Sequence, residues 1–151
     1  KLTVTLTLAS VLGVATVLTT AGTGRMIADA LFRLVPLEGG SPLLGFAATA
    51  IMGAAISVIA TTVGSIAIVV PMLASLQTAT GLPLHLGLVA EITGLQAVFF
   101  PYQTVPIMVG LMLAKVPPGP AIRILVPAAI SGLLIILPLE MVWLKLIGAL
   151  P

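Results

Sequence analysis

The sequence predicts an all-α integral membrane protein, and three observations carry that prediction. Of 151 residues, 60% are hydrophobic and only 7% charged, where a soluble domain carries about 25% charged residues. Apolar runs follow one another along nearly the whole chain, each ended by Gly, Pro or a short polar patch. Too few polar groups remain to cover a surface facing water, so lipid is the solvent that fits.

The other counts exclude more than they assign. The net charge of +2 comes from isolated Lys and Arg with no basic cluster, so no nucleic-acid partner is expected. The absence of cysteine rules out disulfides, thiol redox and thiolate metal sites. One histidine makes a His-based metal site unexpected. Lys1 opens directly into an apolar run, without the pattern of a signal peptide. The chain therefore reads as a single transmembrane domain, 1–151, that is a piece of a longer multi-pass protein. Its place would be a cell membrane, the inner one if the source is bacterial.

The elements follow in order. The run 2–20 is long enough to cross a bilayer, which takes roughly 20 residues. In 25–35, Arg25, Asp29 and Arg33 share one helix face and Met26, Ile27, Ala30, Leu31 and Leu34 the other. That pattern predicts a short amphipathic helix at the interface; its charges also read simply as a solvated face. A turn follows at 37–42. The run 43–59 is rich in small residues, which let membrane helices approach closely. A polar patch at 60–65 leads to a second apolar run, 66–76. That run is too short for an upright crossing, and Pro71 should kink it. Two apolar arms meeting at a polar tip predict a re-entrant hairpin.

After a loop at 77–83, the run 84–100 carries Glu91 and Gln96 and ends at Pro101. Helix resumes at 107–114. The stretch 101–106 predicts one membrane helix broken in its middle. A tight loop at 115–120 leads to 121–150, where Pro127 and Pro138 are candidate kinks. Trp143 and Lys145 are interface anchors there. Lys1, Lys115 and Arg123 fall on one side of this topology and Arg25, Arg33 and Lys145 on the other, so the positive-inside rule sets no orientation.

Two interruptions, 60–65 and 101–106, carry the chemistry. Interrupted helices leave N–H and C=O groups unbonded. N-termini favour anions, and free carbonyls and hydroxyls favour Na⁺. Secondary transporters place their sites at such discontinuous helices; a packing hairpin and a proline-kinked helix remain the plain alternatives. Glu91 is a second candidate, because a carboxylate in an apolar helix is a functional hypothesis by default. Two turns into its helix, it also fits a position near the interface. His85 and Glu140 read as interfacial residues.

The order of these features resembles the C-terminal repeat of the divalent anion:sodium symporter family, within the ion transporter superfamily. Four stretches carry the resemblance: Thr20 to Ala28, Ile59 to Pro71, Phe100 to Pro106, and Trp143 to Gly148. The second is similar to the family's Ser-Asn-Thr hairpin tip and the third to its Pro-x-x-Thr-x-Pro break. Thr61 and Thr62 stand at the Ser and Asn positions with Val63 third, or, shifted by one, Ala60, Thr61 and Thr62 occupy the three. Either way the asparagine is absent, which favours anion transport in general over dicarboxylates in particular.

The resemblance implies one transporter repeat with a re-entrant helical hairpin and a discontinuous transmembrane helix. It implies a partnering N-terminal repeat, a homodimer, and sodium-coupled movement of a small anion (dicarboxylate, citrate or sulfate) by alternating access. Substrate would be met by Thr61, Thr62, Gly64, Ser65, Gln103 and Thr104, with Gln103 standing in for the lost amide. Sodium would be held near Thr62, Pro101, Thr104 and Pro106, with Glu91 as a further ion ligand. No organic cofactor is implied. A proton-coupled carrier or antiporter using Glu91 fits the same skeleton, and a non-transporting membrane scaffold is the rival from another class. No nucleophile–base pair stands at a recognisable spacing, so an enzyme is not expected.

Overall fold

The structure, a computed structural model, describes residues 41–150. The runs 2–20 and 25–35, and the resemblance at Thr20 to Ala28, lie outside the described residues.

The described chain is helical throughout, joined by short turns. Helix α1 spans Pro42–Thr80. It starts where Ser41 Oγ accepts the Leu44 N–H at 3.3 Å and Pro42 sits in the first turn, where a missing N–H costs nothing. Inside it, Thr61 alone leaves the helical region, at φ 67° and ψ 167°. That residue divides α1 into two arms, Pro42–Ile59 and Thr61–Thr80. The arms fold back on each other. Met52 of the first packs with Val69, Met72, Leu73 and Leu76 of the second, and Gly45 lies against Thr80 far from the turn. The predicted hairpin is therefore present as a helical hairpin.

Its second arm is longer than the sequence predicts. Pro71 stays within the helix, and helix continues through 77–80 to a left-handed cap at Gly81, whose N–H donates to Gln77 O. Thr78 and Thr80 sit within the helix, with their hydroxyls donating to the Ala74 and Leu76 carbonyls one turn back. Each arm is thus long and apolar enough to cross a membrane by itself; 18 residues rise about 27 Å.

Helix α2, Leu84–Leu95, packs along the hairpin. Gly94 makes that possible: a Cβ there would fall 2.1 Å from Ala50 O. Phe46, Ala50, Leu82, Leu86 and Ala90 form the shared core, closed by Leu137 and Leu150 from the end of the chain. The chain then leaves the helix, makes a 3-10 turn at Pro101–Gln103, and resumes as α3, Val105–Leu113. The break is present, and it begins earlier than the prolines alone predict. Helix α4, Pro118–Ser131, takes Pro118 and Pro120 into its first turn, so the predicted exit loop is shorter than 115–120. A π turn at Gly132–Ile136 joins it to α5, Leu137–Leu146. Pro138 has no N–H to return to the preceding turn, and the wider turn stands where a kink is predicted. Pro118–Leu146 is the third segment long and apolar enough to span, and Trp143 and Lys145 near its end are exposed.

Candidate functional site: the hairpin tip and the helix break

The two interruptions meet. Thr62 Oγ1 donates to the Gln103 carbonyl at 3.0 Å across 41 residues. Tyr102 O–H donates to the Val58 carbonyl in the last turn of the first arm. Thr61 turns the chain, and its hydroxyl sits 3.4 Å from the Gly64 N–H, the position of a cap for the second arm.

Gln103 is put to a different use from the one predicted. It is only 1% exposed. Its Oε1 accepts the Phe99 and Phe100 N–H groups at 2.7 and 2.6 Å, and its Nε2 donates to Ser57 Oγ at 2.8 Å. Those N–H groups belong to the stretch after α2 that has lost helical bonding. The amide therefore supplies the partners that the interrupted backbone lacks, and it ties the break to the first arm. In this arrangement the amide acts as a strut between the break and the hairpin.

Thr104 is the reverse case. Its Oγ1 is buried and has no hydrogen-bond partner. A buried hydroxyl without a partner costs roughly 1–3 kcal/mol, and an ion or a bound solute would relieve that cost. Pro101 is buried at the start of the 3-10 turn, whereas Pro106 is exposed in the first turn of α3.

Ser65 lies one turn below the tip and is fully buried, so it does not line the tip. Its Oγ is 3.1 Å from Gly53 O and 3.0 Å from Glu91 Oε1. Glu91 is 2% exposed and packed against the hairpin, out of reach of solvent. Its Oε2 lies against Gly53, where a Cβ would come within 2.2 Å, and it has no hydrogen-bond partner. Gly53 thus leaves the notch that admits the carboxyl group. Glu140 accepts a hydrogen bond from Thr93 Oγ1. His85 is exposed.

Sequence reasoning missed Ser57, Gly53 and Thr93. The first two were visible only as members of a small-residue stripe. A serine one turn from a glycine on a membrane helix is the signal that could have marked them.

No family model, curated protein or solved structure matches the chain.

Proposed function

We propose that the chain is one repeat of a secondary active transporter for a small anion, coupled to sodium, with its site where the hairpin tip meets the helix break. The observation that carries this reading is the Thr62–Gln103 contact beside the unpartnered Thr104 hydroxyl. Polar backbone at membrane depth is tolerated where it is buried in protein or lines a wet cavity, and this contact joins two such stretches. Thr61 offers its hydroxyl proton to the anion, and Thr62 does so when its bond to the Gln103 carbonyl opens. Thr104 Oγ1 and the carbonyls around it offer oxygens to Na⁺, which suits a hard cation. The hairpin is re-entrant in this reading, and the exposed faces of α3 and α4 await the N-terminal repeat and a second copy.

The test is uptake of labelled succinate, citrate and sulfate into proteoliposomes holding the full-length protein, with and without an inward Na⁺ gradient. Sodium-driven uptake of any of the three supports the reading. Thr62→Val and Thr104→Val should each lower uptake at least tenfold while the protein stays folded. Unchanged kinetics in both would remove the site.

One observation favours a second reading. Glu91 is sealed between both arms with one oxygen unpartnered, a setting suited to binding and releasing a proton. Flux driven by pH, independent of sodium and abolished by Glu91→Gln, would replace sodium coupling with proton coupling.

A further inference from the structure

On the far side of α2 from the hairpin, a cavity of about 190 Å³ lies between the end of that helix and the Pro118–Leu146 segment. Thr93, Gln96 and Glu140 form its polar lining, and Ala97, Ala128 and Leu133 much of the rest. Water occupies about 30 Å³ per molecule in the liquid, so the space suits a small ion with part of its hydration shell, or a small ammonium.

Charge decides which kind of ion. Glu140 brings a carboxylate, and Thr93 engages only its Oε2. Thr93 and Gln96 belong to the last turn and cap of α2, the end at which a helix presents its negative pole. Gln96 adds an amide oxygen. Among the described residues, no Lys, Arg or His lines the cavity. The carboxylate and the helix pole there favour a cation over an anion. The π turn contributes Gly132 and Ile136 to the wall, and such turns occur frequently at functional sites.

We infer that this cavity binds a monovalent cation, held by the Glu140 carboxylate with oxygens from Thr93 and Gln96. The inference rests on the cavity and stands apart from the transport reading, whose site lies at the tip and the break.

The test follows thermal unfolding of the full-length protein in nanodiscs at constant ionic strength, as N-methylglucamine is replaced by Na⁺, K⁺ or methylammonium. At least one of the three should raise the unfolding midpoint, and the effective one tells an alkali ion from an amine. Glu140→Gln should weaken the apparent affinity at least tenfold. Ala128→Leu, which adds bulk to the cavity wall and keeps the carboxylate, should do the same and serves if Glu140→Gln fails to fold. In a Thr104→Val background, where any sodium response of the break is removed, a cation response that depends on Glu140 should remain. A wild-type protein indifferent to all three cations overturns the inference. So does a response lost in Thr104→Val but kept in Glu140→Gln and Ala128→Leu.

Discussion

Helix α2 carries two joints between a carboxyl and a hydroxyl, and they differ in almost every respect but that pairing. Glu91 and Thr93 are two residues apart, which places them about 200° apart around the helix. On one side Glu91 meets Ser65 of the hairpin. On the other, Thr93 meets Glu140 of α5. The first joint is dry: both residues are buried, and Gly53 closes over the carboxyl group. The second opens on a cavity, and both of its residues are partly exposed. The same pair of functional groups is thus a fixed buried link in one place and a reachable ligand set in the other. Burial, not residue type, makes the difference.

The largest expected effect comes from closing the dry notch. Gly53→Val would drive a side chain into Glu91 and disturb the Ser65 bond, a loss of about 3 kcal/mol or more from overpacking and a lost buried hydrogen bond together. Thermal unfolding in nanodiscs reads it. A midpoint unchanged in Gly53→Val would show that the Glu91 carboxyl group does not sit where it is placed.

A smaller contrast separates the two hydroxyls. Ser65→Ala strips a buried carboxyl group of the one hydrogen bond described for it and should cost about 1–3 kcal/mol. At the open joint water can replace the lost partner, so Thr93→Ala should cost nearer 0.5 kcal/mol, the low end of a net hydrogen bond. Equal losses would erase the distinction between dry and wet. The finest test is a pair of double-mutant cycles with Ala and Gln replacements. Coupling between Ser65 and Glu91 should exceed about 1 kcal/mol and ignore salt, while Thr93 and Glu140 should couple by less and lose it as salt rises.

The sequence made some of this legible and hid the rest for physical reasons. Composition alone pointed to helices long and apolar enough to cross a membrane, because no water-facing arrangement suits so few charges. The patch at 60–65 and the prolines at 101 and 106 marked both interruptions within a few residues, since polar and N–H-free positions interrupt a helix whatever surrounds them. The length of the second arm was not legible. Gln77, Thr78 and Thr80 resemble a loop until their position one turn beyond accepting carbonyls is seen. The early start of the break was hidden too, because 97–100 is apolar and gives no local sign of leaving the helix. The hydrogen bonds of Gln103 were not legible either. Its partners at Ser57, Phe99 and Phe100 come together only through the fold. Glu91 was recognised as unusual, yet its depth depends on which face of α2 meets the hairpin, and that is a property of packing.

The turn at Thr61 has a mechanical consequence. The residue is β-branched and lies in a backbone region that is essentially glycine's, and the arms on either side are helical to within a residue of it. A fold-back with so little slack gives the arms no spare chain with which to slide past one another. Close packing of Gly45 on Thr80, and the Ser65 Oγ contact with Gly53 O, join the rest of their length. Whatever displaces the tip must therefore swing both arms together as one stiff lever, with its free play confined to the two torsions of a single threonine.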